Sequence, residues 1–119
     1  MTALARAMAE VEGFFKAGTT AARNSNPGNL RPPPKVTLKG QTGLDARGFA
    51  VFPDAATGWA ALDRQIDIDM RRGHTLASFL RKYAPPSEND TTAYIKFVAG
   101  RLQVGPETLL RKLRQEVEV

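Results

Sequence analysis

The chain has 119 residues, no cysteine, a single histidine, and a net charge of +5 with an isoelectric point near 10.0. That length supports one compact core and reads as a single domain over residues 1–119, and the 42% apolar content belongs to a folding chain rather than a disordered one. The absence of cysteine excludes a disulfide framework and a thiolate zinc site, and the lone His74 argues against a histidine-rich metal centre or a Ser-His nucleophile, so neither a metal nor a cofactor is expected.

The first helix is predicted from Thr2, its cap, to about Lys16, with Leu4, Met8, Val11 and Phe15 as an apolar stripe at helical spacing. At about 100° per residue, Glu12 falls roughly 70° from the centre of that stripe and Glu10 roughly 130° away on the far side. Glu12 therefore borders the core and Glu10 faces water. Gly13 loosens the helix and Gly18 offers a stop. Partial burial and the negative end of the helix dipole both raise a carboxyl pKa at Glu12, the requirement for a general acid near neutral pH. An exposed glutamate with an ordinary pKa is the plain alternative.

Residues 17–34 read as irregular. Asn24-Ser25-Asn26-Pro27-Gly28-Asn29 is dense in turn formers and Pro32-Pro33-Pro34 cannot be helix interior. Val36 to Phe52 reads as a small antiparallel hairpin or three-stranded sheet: Val36 and Leu38 alternate, Gly40 to Gly43 permit a turn, and Phe49-Ala50-Val51-Phe52 form a brief strand. Asp54 caps a second helix with Trp59, Leu62, Ile66 and Met70 on its buried stripe, Arg71 and Arg72 at its end and Gly73 after it. His74 follows in a solvated turn. Thr75 caps a third helix carrying Leu76, Phe79, Leu80 and Tyr83, ended by Pro85-Pro86. A fourth starts near Asp90 or Thr91, carries Tyr94, Ile95, Val98 and Leu102, and stops before Gly105. Pro106 opens a fifth, on which Arg111, Lys112 and Arg114 mix with Leu109, Leu110, Leu113 and Val117 as a solvated face. The expected class is α+β, mostly helical, with one small antiparallel sheet between the first and second helices.

The positive charge suits a nucleic acid, an anionic lipid or an anionic polysaccharide, but the basic residues are otherwise dispersed and a nucleic acid is not expected as a partner. No apolar run reaches the roughly 20 residues of a membrane span, and no signal peptide is read at the N-terminus. A target outside the cytoplasm thus implies delivery by another factor or as part of a larger chain.

Four stretches stand out together: Glu12-Gly13-Phe14; Asn26-Pro27-Gly28-Asn29-Leu30-Arg31; Gly48 to Trp59; and Lys82-Tyr83-Ala84-Pro85-Pro86-Ser87-Glu88-Asn89-Asp90-Thr91-Thr92-Ala93-Tyr94. Their types and order resemble the small lysozyme-like, lytic-transglycosylase-type domains of bacteria and their phages, over about Met8 to Thr108. The resemblance implies a helix ending in a catalytic Glu, here Glu12, a Gly- and Asn-rich wall of a glycan groove, here Asn26 to Arg31, and a later helix bringing Thr91 and Tyr94 toward the acid. It implies cleavage of the β-1,4 bond between N-acetylmuramic acid and N-acetylglucosamine at the bacterial cell wall, by a monomer or a part of a larger assembly.

A hydrolase with two carboxylates needs a partner at about 5 Å for retention or 6.5–9.5 Å for inversion, and the sequence offers no obvious one. Asp45, near the hairpin turn, is the best candidate, though turn hydrogen bonding also explains it. Lytic transglycosylation needs only Glu12 and is preferred, with a hydrolytic muramidase as the alternative. A non-catalytic wall-binding or phage structural module is the rival of another class. Among substrate-binding candidates, Asn26 and Asn29 offer amides to N-acetyl groups or serve turn chemistry. Arg31 meets a lactyl or peptide carboxylate, or water. Tyr83 stacks on a sugar or packs in the core. Tyr94 hydrogen-bonds Glu12 or a sugar, or is a core tyrosine. Phe49, Phe52 and Trp59 are assigned to the core.

Overall fold

The computed structural model describes residues 1–114. Helix α1 (Ala3–Glu12) starts where the Thr2 hydroxyl accepts the Ala5 N–H at 3.0 Å. It ends at Gly13, whose φ of +82° lets the chain turn back so that Gly13 N–H reaches the Glu10 carbonyl and Phe14 N–H the Ala9 carbonyl. The helix is thus shorter than its apolar spacing predicts. Phe15 lies past the stop, out of helical phase, and is 47% exposed; Val11 is 38% exposed. The buried arc is instead Leu4, Ala5, Ala7, Met8 and Ala9, whose small members let α1 pack against both α3 (Ala55–Arg71) and α5 (Thr91–Leu102). Glu10 does not simply face water: it pairs with Arg101 at 2.7 Å.

Between α1 and the sheet lies one short helix, α2 (Thr20–Arg23), capped by Thr19. The sheet is a two-stranded hairpin. Strand β1 (Gly43–Leu44) runs antiparallel to β2 (Ala50–Val51), with Gly43 opposite Val51 and Leu44 opposite Ala50. Its turn sits at Asp45–Phe49, later than Gly40–Gly43, because the Asp45 carboxylate accepts the N–H groups of Arg47 and Phe49, both at 2.9 Å. No strand forms at Val36–Leu38; the residues after the triple proline turn instead, with Val36 N–H on the Pro33 carbonyl. The far edge of β2 is taken by the turn-rich loop: Ala50 and Phe52 donate to the carbonyls of Leu30 and Asn24.

Asp54 caps α3 through the Thr57 N–H at 2.8 Å, and Trp59, Leu62, Ile66 and Met70 are buried as their spacing predicts. Gly58 lies so close to the Ser25 carbonyl and Pro27 ring that a β-carbon there would overlap both, which locks the start of α3 onto the loop. Thr75 and Ser78 form a reciprocal capping box on α4 (Leu76–Tyr83). His74 is only a quarter exposed: Nδ1 is 3.0 Å from Ser78 Oγ and Nε2 is 3.6 Å from buried Asp69. Asp90 caps α5.

No α-helix opens at Pro106. The carbonyls of Pro106 and Thr108 accept the N–H groups of Ala77 and Leu76, the unpaired donors of the first turn of α4, and the segment makes a single turn, with Thr108 N–H on the Gly105 carbonyl. A short 3₁₀ turn, Leu110–Lys112, follows, and Val117 lies outside the described residues.

The main apolar cluster joins α1, α3, α4 and α5 around Leu4, Met8, Leu62, Phe79, Leu80 and Val98. A smaller cluster of Leu30, Ala50, Phe52 and Ala61 underlies the hairpin, and Tyr83 packs against both. Among the described residues, no helix is long and apolar enough to cross a membrane.

Candidate active site

Glu12 is the last residue of α1, directly before the left-handed Gly13, so its side chain leaves the helix where the chain turns away. Both carboxylate oxygens are held. Asn29 Nδ2 donates to Oε1 at 3.2 Å, and the Tyr94 hydroxyl donates to Oε2 at 2.9 Å. One donor comes from the loop wall and the other from α5. Burial among these neighbours raises the Glu12 pKa above 4.5, while the two hydrogen bonds, which favour the ionised form, pull against it. Burial also lifts the Tyr94 phenol well above its ordinary value, and the negative charge of Glu12 adds to that. Tyr94 therefore stays a donor at neutral pH.

Asn29 is presented by strained backbone. Its φ of +47° lies in the left-handed region, which asparagine tolerates better than most residues. The anchor beneath it is Asn26, fully buried, whose Nδ2 donates to the carbonyls of Leu30 and Ala50 and whose Oδ1 accepts the Leu30 N–H. From α4 the Tyr83 hydroxyl donates to the Gly28 carbonyl, fixing the loop from the helical side.

Two concavities meet at Glu12 and Asn89. The larger, of about 790 Å³, is walled by Asn29 and Arg31 of the loop, Arg47 and Phe49 of the hairpin, and Lys82 and Tyr83 of α4. The smaller, of about 360 Å³, runs between the end of α1 and α5, over Val11, Ala93, Tyr94 and Phe97. Together they make a furrow whose two arms share Glu12.

Of the residues singled out from the sequence, Glu12, Asn29, Arg31, Tyr83 and Tyr94 line this furrow. Two do not. The three hydrogen bonds of Asn26 are all spent on backbone, so its amide is turn chemistry rather than an N-acetyl contact. Thr91 is 4% exposed and its hydroxyl donates to the Ala84 carbonyl, tying α4 to α5 instead of facing a sugar. Phe49, assigned to the core, is instead half-buried on the wall, beneath the guanidinium groups of Arg31 and Arg47. Arg47, Val11 and Phe97 were not anticipated as lining residues. Phe97 was within reach, one turn beyond Tyr94 on the same helix face. Nothing in the spacing announces Arg47.

Asp69, Glu88 and Asp90 also line the two concavities, and each of these acids, like Asp45, has a partner of its own. Asp45 accepts from Asn24 Nδ2 as well as from its own turn, bonds that hold its carboxyl below the ordinary range. Asp69 is buried against Lys82 at 2.5 Å, Asp90 caps α5, and Glu88 stands 3.9 Å from Arg31. Among the described residues, no three His, Cys, Asp or Glu side chains are grouped to hold a metal ion. Comparison with protein-family models, with curated proteins and with solved structures returns no match.

Proposed function

We propose that the chain is a lysozyme-like domain that cleaves the β-1,4 bond between N-acetylmuramic acid and N-acetylglucosamine in peptidoglycan, with Glu12 as its one acid and base. The observation that carries this reading is a carboxyl of raised pKa, held through both oxygens, where the two arms of a furrow meet. A polysaccharide cleaved internally needs sugars on both sides of the acid, and the two concavities meeting at Glu12 suit that demand. The +5 charge suits a polyanionic wall.

Protonated Glu12 gives its proton to the glycosidic oxygen as the bond to the anomeric carbon breaks. The acetamido oxygen of the same sugar forms a bond to that carbon and shares the developing positive charge. Glu12, now ionised and steadied by Asn29 and Tyr94, takes the proton from the 6-hydroxyl. The hydroxyl oxygen attacks the anomeric carbon, the acetamido oxygen leaves it, and a 1,6-anhydro sugar results. One carboxyl serves both steps, which matches the local bonding of Asp45 and Asp69.

Glu12→Gln keeps the shape and removes the transferable proton. Clearing of purified sacculi is expected to fall by about 10²–10⁴-fold. Mass spectrometry of the wild-type digest is expected to show 1,6-anhydro ends; reducing ends would mean hydrolysis. Undiminished clearing by the Gln variant overturns the catalytic reading.

A further inference from the structure

The two arms of the furrow differ in charge, and the difference has a definite source. Arg31 and Arg47 approach the same aromatic ring, that of Phe49, with their guanidinium carbons 4.5 and 5.3 Å from its centroid. An aromatic platform restricts long arginine side chains in advance, so less freedom is lost when they meet a ligand. Guanidinium groups stay charged at every accessible pH and match a carboxylate through paired N–H donors. Two carboxylates stand near them, and the charge of Asp45 acts on Arg47. Glu88 approaches Arg31 only to 3.9 Å with 62% of its side chain exposed, and the Asp45 carboxylate is bonded to Asn24 and to the turn's own N–H groups. Lys82, in the same arm, is answered by Asp69.

The other arm is built differently. Val11, Ala93 and Phe97 give it an apolar lining beside Asn89 and Asp90, and Arg101, over the Phe97 ring, is already paired with Glu10 at 2.7 Å.

We infer that Arg31 and Arg47, mounted on Phe49, form a carboxylate subsite on the hairpin side of Glu12, and that this subsite sets the direction in which a glycan strand lies. The subsite rests on the peptidoglycan reading above and adds an orientation to it. Only the muramic sugar bears a lactyl group, carrying either a free carboxylate or a peptide with carboxylates of its own. That sugar belongs in the arginine arm, and the uncharged N-acetylglucosamine crosses Val11 and Phe97.

The test is a binding measurement on the full-length chain with Glu12→Gln as background, so that nothing turns over. Three soluble ligands are titrated: glycan strands with their stem peptides, strands stripped to free lactyl carboxylates, and neutral chitin oligosaccharides of matched length. At least one carboxylate-bearing ligand is expected to bind about tenfold tighter than chitin, as a pair of charge-assisted contacts provides. Preference for the stripped strands identifies the lactyl carboxylate; preference confined to peptide-bearing strands identifies the stem. Arg31→Ala/Arg47→Ala is expected to bring the ratio to near one, and salt to narrow it in the parent. Phe49→Leu, which keeps both charges but removes the platform, is expected to lower the ratio part-way. Equal affinities in the parent, or a preference that survives the double substitution, overturn the subsite. Sacculus cleavage that Glu12→Gln abolishes, without any carboxylate preference, would leave the peptidoglycan reading intact while removing this one.

Discussion

The two sides that grip Glu12 are built by different physics. On the helical side, Tyr94 is placed by apolar packing: α5 lies on α1 and α4 through buried Ile95 and Val98, and any side chain of similar size and greasiness would hold it. On the loop side, Asn29 is placed by hydrogen bonds. The wall has a small core of its own, and its shape depends on Asn26, on the Tyr83–Gly28 bond and on the bare α-carbon of Gly58 against Ser25. Burial is tolerant of substitution and geometry is not. The acid thus has one partner whose position survives sequence drift and one whose position tolerates almost none.

The sharpest way to break that contrast is a matched pair of substitutions. Asn26→Leu is apolar and similar in size but removes three hydrogen bonds to buried backbone, the Leu30 N–H losing its acceptor, and is expected to lower stability by about 3 kcal/mol. Leu80→Met, a volume-conserving swap in the helical core, is expected to stay under about 1.5 kcal/mol. Denaturant titration reads both, and equal losses would erase the distinction. A smaller effect concerns the acid itself. Because its folded pKa is raised, Glu12 favours the native state when protonated, and that contribution is lost as pH rises from about 4.5 through the raised value. Glu12→Gln is therefore expected to be more stable than the parent at neutral pH, by about 1 kcal/mol, and to lose its advantage below that window. Melting curves across pH test this, and a Gln variant less stable at neutral pH contradicts it. The smallest effect separates the two donors. Tyr94→Phe removes a bond that favours the ionised carboxyl, so on the proposed reading the alkaline limb of the cleavage profile should move to higher pH. A shift in the acid direction would mean that Tyr94 acts otherwise.

What was legible in the sequence is what is decided within a few residues. The caps Thr2, Asp54, Thr75 and Asp90 each act on an N–H three residues ahead, and the α3 stripe needs only its own period. Failures begin where a distant segment decides. Val36 and Leu38 alternate as a strand does, but no strand pairs with them, and Asp45 sets the hairpin turn. Pro106 opens helices in general, yet here its carbonyl is claimed by Ala77. The site divides the same way. The position of Glu12 beside the core follows from its place on the helix, and a bond to Tyr94 is one of the options its chemistry allows. Asn26 and Thr91 had suitable chemistry, but whether an amide or hydroxyl faces a furrow or a carbonyl is settled by the fold. The Arg31–Phe49–Arg47 stack spans the hairpin and left no trace in spacing.

The pinning of α1 at both ends carries one more consequence. Thr2 sets where its winding begins and Gly13 where it stops, so the number of residues between them is itself an angular coordinate. Adding or deleting a single alanine in that interval would swing the terminal carboxyl by about 100° about the helix axis, out of reach of both donors, with the composition of the buried face scarcely altered. The length of this short rod is as much a part of the chemistry as the residue at its tip.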